Sequence, residues 1–260
     1  LLKSVNIIGA GNVAHFFGSK LNDEGYNIRC IYNRTLEKAN ALAMLCGSMA
    51  TNDIRSLPKT DITIIAITDD HVGRIAEEVY RIHGHSLPLI HTSGALSLDV
   101  FPSELQQVGV IWPLQSIIFG QISGLENVPL CIDARNDTFK KEIEKICIDI
   151  SDNVAYMPSS QKKHAHVAAV IANNFTNHLL AISESYCQEH GIDFNLLKPL
   201  IIQSIQKIET DSPKDIQTGP ARRMDLHTIN DQMDLIEDKD LKKIYRTISK
   251  SIIKTYHENN

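Results

Sequence analysis

The sequence predicts an α/β domain with a parallel-rich sheet over residues 1–157, followed by an all-α domain over residues 158–260. In the first part, short β-branched runs alternate with helical stretches, an order typical of a parallel sheet covered by helices. After Pro158 the strand-like runs stop, and apolar residues recur at helical spacing instead. These two observations divide the chain into a sheet domain and a helical domain.

Each predicted element rests on a local residue pattern. Strands are predicted at residues 5–8, 27–32, 61–67, 87–91, 108–112, 128–133 and 154–157. Helices are predicted between them at residues 13–24, 36–45, 71–82 and 138–150. The second domain has one predicted helix over residues 162–190, about 40 Å long at the standard rise. Further helices are predicted at residues 195–209 and from residue 228 to residue 260.

Composition narrows the function classes. Hydrophobic residues make up 43% and charged residues 22% of the 260 residues, as in soluble globular proteins. No long apolar stretch predicts a membrane span, and no signal-peptide pattern is seen, so we expect a cytoplasmic protein. A net charge of −5 argues against nucleic-acid binding. Five scattered cysteines without a C-x-x-C pair predict neither a disulfide framework nor a metal site.

A glycine-rich turn follows the first predicted strand. The segment GAGNVA places a G-x-G-x-x-A pattern between a strand and a helix. Gly9 permits the tight turn, Gly11 lets the backbone approach a pyrophosphate, and Ala14 permits close packing of helix on sheet. The alternative is a plain turn. The position at the start of a β-α-β series favours a Rossmann-type dinucleotide site that includes Asn12 and Val13.

The end of the second predicted strand indicates which dinucleotide is bound. NAD-binding domains usually carry an acidic residue there, which binds the ribose 2′-hydroxyl. Here the position reads Asn33, Arg34 and Thr35, with no carboxylate to repel a 2′-phosphate and one guanidinium to pair with it. The cofactor is therefore predicted to be NADP(H). The alternative is that Arg34 is only a solvated loop residue.

Ligands of this fold lie at the carboxyl ends of the strands. Thr68 and Asp69 follow one buried strand, and His91 and Ser93 end or follow the next, so these residues are expected to border the nicotinamide. Asp70 has an alternative structural interpretation as the N-cap of a helix beginning at residue 71.

The long predicted helix carries a polar cluster. His166, Asn173 and Asn177 fall within a narrow arc of one face, and Asn174 lies on a neighbouring stripe. Together these side chains are candidates to line a cleft, although each alone is equally well explained as helix surface.

Several segments resemble one family nearly end to end. They are GAGNVA, YNRT, HTSGALSLDVF from His91, WPLQSI from Trp112, HVAAVIANNFTNHL from His166 and TGPARRMD from Thr218. The chain resembles bacterial proteins with a Rossmann-like domain and a DUF2520 domain. It is more distantly similar to pyrroline-5-carboxylate reductase, prephenate dehydrogenase and F420-dependent NADP reductase. The resemblance implies a second domain like the C-terminal domain of 6-phosphogluconate dehydrogenase, and a homodimer formed through it.

The match has two departures. The family loop typically reads TGPxxRGD, whereas Met224 stands at its glycine, and Gln232-Met233 replaces a His-Leu pair. If the glycine serves a positive φ, methionine is expected to reshape the loop, which weakens the transfer of a role to Arg223 and Asp225.

The leading functional hypothesis is hydride transfer between NADP(H) and a small carbonyl, imine or hydroxy compound held between the sheet domain and the long helix. His91 or His166 would donate or accept the proton. Ser93, Gln115 and Asn174 would orient the substrate. Asn174 is thus grouped with the catalytic candidates, while Gln115, Asn173, Asn177 and Arg223 are the substrate candidates.

Two alternatives remain open. In the first, the protein binds NADP(H) as a sensor or scaffold without catalysis. This alternative is kept because fold alone does not establish chemistry. In the second, the protein is a specific reductase of amino-acid metabolism, in which Arg223 pairs with a substrate carboxylate.

Overall fold

The predicted sheet is present and forms the centre of the first part of the chain. The computed structural model describes residues 3–118 and 127–258, and the chain divides into two compact units, residues 1–172 and residues 173–260. In the described part of the first unit the sheet has eight strands. They are β1 Ser4–Ile8, β2 Asn27–Tyr32, β3 Met49–Thr51, β4 Ile62–Ile65, β5 Leu89–His91, β6 Val108–Pro113, β7 Leu130–Ala134 and β8 Val154–Tyr156.

The strand order creates a crevice for a ligand. It runs β3-β2-β1-β4-β5-β6-β7-β8, and every neighbouring pair is parallel except β6 with β7. The first six strands have the order of a Rossmann fold, which reverses direction between β1 and β4. At that point the connections leave to opposite sides and open a crevice. The predicted fold class is confirmed.

Four helices cover the sheet. They are α1 Asn12–Asp23, α2 Leu36–Cys46, α3 Asp69–His83 and α4 Asp137–Ile150. Phe16, Phe17 and Leu42 pack in a core beneath α1, α2 and α4, whereas Val72 and Val79 of α3 belong to a second core. The two cores lie on opposite faces, because alternate residues along β1 and β4 point into one or the other.

One strand was missing from the sequence prediction. Strand β3, Met49–Thr51, is three residues long, lies at the sheet edge and has no fully buried residue. So short and exposed a strand carries no alternation of apolar and polar residues to identify it.

Helices follow the sheet to the end of the described chain. Helix α5, Ser159–Ala169, leads through a π-helical segment, Val170–Phe175, into α6, Thr176–Glu189. The predicted helix of residues 162–190 is therefore present, with a π-helical interruption that its apolar pattern did not indicate. The remaining helices are α7 Lys198–Lys207, α8 Leu226–Leu235 and α9 Lys239–Ile253. No helix of the described residues is long and apolar enough to cross a membrane.

The single helix predicted from residue 228 onward is wrong, because α8 ends at Leu235 and α9 begins at Lys239. Asp238 explains the break. Its carboxylate accepts a hydrogen bond from the backbone N–H of Leu241 at 2.7 Å and so caps a new helix.

Met224 occupies a left-handed backbone conformation. Its φ is +59° and its ψ is +32°, and it is the one residue other than glycine with a positive φ in the described ranges. Met224 therefore replaces the family glycine at a position that needs a positive φ. The methionine adopts this conformation, so the loop is kept at a cost in backbone strain.

Met224→Gly is expected to stabilise the protein by about 1 kcal/mol, because glycine adopts this conformation without strain. The half-exposed methionine side chain contributes little packing to lose. Differential scanning calorimetry should show a midpoint raised by about 2–4 °C. The matched variant Arg223→Gly, at the preceding residue, should lower it. An unchanged or lower midpoint for Met224→Gly would show that the strain is absent.

Candidate functional site

A pocket lies at the carboxyl ends of β1, β2 and β4, where the strand order reverses. It has a volume of about 520 Å³. It is lined by residues 8–13, 32–35, 38, 66–68, 71, 74, 75, 92 and 117. This is the position at which open α/β sheets bind their ligands.

The turn after β1 shapes one end of the pocket. Gly9 has a φ of +122°, and a Cβ atom there would lie 2.1 Å from the carbonyl oxygen of Ala66, so only glycine fits. At Gly11 a Cβ atom would meet nothing within 4 Å and would project into open space at the start of α1. Backbone N–H groups of a first helical turn point at such a space, which suits a pyrophosphate.

The opposite end of the pocket is basic. Arg34 and Lys38 reach it from the start of α2, and His71 and Arg74 reach it from α3. No Asp or Glu is among the described lining residues, and Arg34, Lys38 and Arg74 form no ion pair within the described parts of the chain. Cations that form no ion pair suit a 2′-phosphate. The lining thus fits NADP(H).

Eight of the predicted cofactor residues line this pocket. They are Gly9, Gly11, Asn12, Val13, Asn33, Arg34, Thr35 and Thr68. The side-chain amide of Asn12 donates a hydrogen bond to the carbonyl oxygen of Ile117 at 3.0 Å, and that of Asn33 donates to the carbonyl oxygen of Thr35 at 2.9 Å. These bonds fix the two turns against the pocket.

The turn between β4 and α3 does not have the helix start that was predicted as an alternative, with Asp70 as the N-cap. Helix α3 begins at Asp69 with Thr68 as its N-cap, so Asp70 is the second helical residue and the N-cap interpretation is wrong. The N–H of His71 bonds to the carbonyl oxygen of Thr68 at 3.0 Å, which starts the helix two residues earlier than expected. Asp69 is exposed and is not among the described lining residues of the pocket.

His91 is fully buried at the end of β5. Its Nδ1 accepts a hydrogen bond from the backbone N–H of Ser93 at 3.1 Å. Burial, with the charge of Lys162 nearby, lowers the pKa of His91 to about 3, so its imidazole is neutral near pH 7. The Oγ atom of Ser93 accepts hydrogen bonds from the N–H groups of Ala95 and Leu96. Both predicted residues thus form hydrogen bonds within their loop, while Thr92 between them lines the pocket.

Lys162 is a residue that the sequence analysis missed. Its side chain is fully buried, and its Nζ donates hydrogen bonds to the carbonyl oxygens of Ser93, at 2.8 Å, and Leu96. Burial lowers its pKa to about 8, although the charge of Asp133 opposes this shift. The ammonium therefore holds the loop after β5. A lysine in the first turns of a helix is usually solvated, so no sequence signal distinguished it.

Arg135 holds the next segment of the same loop. Its guanidinium donates hydrogen bonds to the carbonyl oxygens of Leu98, Phe101, Pro102 and Leu105. Two buried or half-buried cations therefore fix the chain from the end of β5 to the start of β6.

His166 lies one helical turn after Lys162 and is partly exposed. Its ring meets the edge of the Trp112 indole at a centroid distance of 5.7 Å. A Cβ atom on Gly94 would lie 2.6 Å from the same indole, so the loop backbone packs directly against it. The structure thus brings His166 and the loop carrying His91 and Ser93 against the same indole, that of Trp112.

The other candidates lie elsewhere. Gln115 is exposed after β6. Asn173, Asn174 and Asn177 are exposed residues of the second unit, as is Arg223 beside Met224. Their roles toward a substrate stay predictions. Within residues 3–118 and 127–258, no cluster of His, Cys, Asp or Glu is arranged to hold a metal ion.

Two family models match the chain. Residues 4–87 match the model described as NADP oxidoreductase, coenzyme F420-dependent, and residues 128–252 match DUF2520, a domain of unknown function. The chain is thus similar to Rossmann-type NADP oxidoreductases in its first part and to DUF2520 proteins in its second part. The predicted resemblance is confirmed. No curated protein matches the sequence.

Solved structures share the fold over almost the whole chain. A provisionally assigned NADP oxidoreductase from Bacteroides fragilis is 27% identical, with a TM-score of 0.88 over 97% of this chain and 98% of that one. An imine reductase from Myxococcus stipitatus in complex with NADP+ is 13% identical, with a TM-score of 0.66 over 98% and 93%. Pyrroline-5-carboxylate reductase from Coxiella burnetii is 15% identical, with a TM-score of 0.61 over 99% and 98%. The last two likenesses show the fold alone.

Lys162 is expected to make stability depend on pH. Its pKa is about 8 in the folded protein against an ordinary 10.5, so between these values the unfolded chain holds the proton that the folded protein has released. Stability from this group therefore rises with pH across that window. The unfolding free energy of the wild type relative to Lys162→Met should increase by about 2 kcal/mol from pH 7 to pH 9.5.

Urea titrations at several pH values measure this difference. Lys163→Met, which removes an exposed neighbour, is the matched control and should show no such trend. A pH-independent difference for Lys162→Met would show that the buried amine keeps an ordinary pKa.

Proposed function

We propose that this protein is an NADP(H)-dependent oxidoreductase that transfers a hydride to or from a small carbonyl, imine or hydroxy compound. One observation carries the proposal. The pocket beside the glycine turn is lined by cations that form no ion pair with a described residue, and no Asp or Glu is among its described lining residues. The NADP oxidoreductase family model and the NADP+ complex of the imine reductase support the choice of cofactor. NADP(H) supplies the hydride chemistry when it is bound.

The lining residues would each hold a part of the cofactor. Backbone N–H groups at the start of α1, beyond Gly11, would bind the pyrophosphate. Arg34 and Lys38 would pair with the 2′-phosphate, which matches a guanidinium fork and an ammonium. Thr68 and Thr92 stand at the carboxyl ends of β4 and β5, where the nicotinamide end of a dinucleotide lies in this fold.

His166 is the proposed proton donor or acceptor. An imidazole can both donate and accept a proton, and His166 is partly exposed beside the loop that follows β5. His91 is unsuited to this role, because burial keeps its imidazole neutral and its Nδ1 is engaged by Ser93. Lys162 is better assigned to positioning, since its hydrogen bonds fix the loop that carries Thr92.

We also propose that the protein forms a homodimer through its helices after residue 158. Val167, Ile171, Phe175 and Leu179 recur every four residues along the helical run from α5 to α6, and each is exposed by 39% or more. Soluble monomers rarely expose so long an apolar row, which suits an interface. The five free, buried cysteines suit the predicted cytoplasmic location, where thiols stay reduced.

Nucleotide titration by calorimetry tests the proposed function. NADPH should bind more tightly than NADH, and Arg34→Ala should weaken NADPH binding by about tenfold while leaving NADH binding unchanged. Arg29→Ala, an exposed arginine of β2 outside the pocket, is the matched control. Failure of the wild type to bind either nucleotide would overturn the proposal, whereas binding without turnover of any carbonyl or imine would favour a sensor.

His166→Ala is expected to lower turnover by about a hundredfold or more, because it removes the proton donor or acceptor, with the NADPH dissociation constant unchanged. The pH profile of kcat should lose the limb that depends on this imidazole. Steady-state kinetics with a small imine measures both. His164→Ala, an exposed neighbour on the same helix, should behave as wild type. Unchanged turnover of His166→Ala would exclude it from the mechanism.

Light scattering after size-exclusion chromatography should give about twice the chain mass of 29.1 kDa. Phe175→Asp should shift the mass toward one chain, because a charge cannot be buried in an apolar interface without a partner. A wild-type mass of a single chain would refute the dimer.

A further inference from the structure

Arg74 is a cation of the pocket that the assignments above leave without a role. It lies on the second turn of α3, with His71 and Ile75 on the face that lines the pocket. Its guanidinium forms no ion pair within the described residues, not even with Glu78 one turn further along α3. A cation at the edge of a cavity without an acidic partner is available to a ligand.

Arg74 and Arg34 reach the pocket from opposite faces of the sheet. Arg34 precedes α2, which packs through Ala39 and Leu42 into the core shared with α1. Helix α3 packs through Val72 and Ile75 into the core on the other face. The pocket therefore has one guanidinium on each side of the carboxyl edge of β2.

Tyr32 is a lining residue on which the charges of both guanidiniums act. It is the last residue of β2 and also lines the pocket. Burial and the charges of Glu78 and Asp53 raise the pKa of Tyr32, and the charges of Arg74 and Arg34 act against this rise. Both cations thus lie within electrostatic reach of one hydroxyl group.

We infer that Arg74 stacks on the adenine ring of the bound dinucleotide, from the side opposite Arg34. The inference rests on the proposed function. A planar guanidinium stacks on an aromatic face, whereas Lys38 lies with Arg34 on the α2 side and completes the phosphate site there. The two arginines would then have separable effects. Arg34 discriminates NADPH from NADH, and Arg74 binds both, because both carry adenine.

Calorimetric titration of Arg74→Ala with NADPH and with NADH separates these effects. We expect both dissociation constants to rise by the same factor of about five, as for loss of one exposed cation–π contact. The ratio between the two nucleotides should stay at its wild-type value, unlike in Arg34→Ala. Arg81→Ala, an exposed arginine two turns along the same helix and outside the pocket, is the matched control. Arg74 is itself exposed, so the variant is expected to fold.

Each other outcome overturns the inference. A loss confined to NADPH would make Arg74 a ligand of the 2′-phosphate. Unchanged binding of both nucleotides would remove Arg74 from the site while leaving the proposed function intact. If the wild type binds neither nucleotide, the proposed function and the role of Arg74 fail together.

Discussion

The close approach of β1 and β4 is the constraint on which the site depends. A side chain on Gly9 would occupy the space of the Ala66 carbonyl oxygen, so the turn after β1 passes directly over the end of β4. Because the chain turns there without a side chain, α1 can start at the open space beside Gly11. The crevice opens where the strand order reverses, and this contact places the N-terminus of α1 at its edge.

A second constraint acts at the end of β5. Lys162 and Arg135 bind backbone carbonyl oxygens of the loop that follows, and neither uses a carboxylate to do so. Burying a lysine without an ion pair is unfavourable, which is why its pKa falls. The hydrogen bonds offset that cost and hold a segment that would otherwise be an ordinary mobile loop.

The sequence predicted those features that depend on residues close to one another along the chain. Strand and helix periodicity, the GAGNVA turn and the missing acid near Arg34 each express a rule that operates within a few residues, and all correspond to features of the structure. Lys38 and Arg74 were not predicted, because their relevance depends on two helices that pack on opposite faces and meet at one edge. His91 looked like an acid–base candidate because a sequence does not show burial. Asp70 was misjudged as a cap because Thr68 starts the helix two residues earlier, and both residue types suit a helix start.

Trp112 contacts both Gly94 and His166, so its fluorescence reports on this part of the protein. Trp112 is the only tryptophan in the chain, so all indole emission comes from one position beside the loop that follows β5. A reduced nicotinamide absorbs in the near ultraviolet, where an indole emits, so a bound cofactor would quench this emission by energy transfer. Occupancy of the site can therefore be followed in the unlabelled protein.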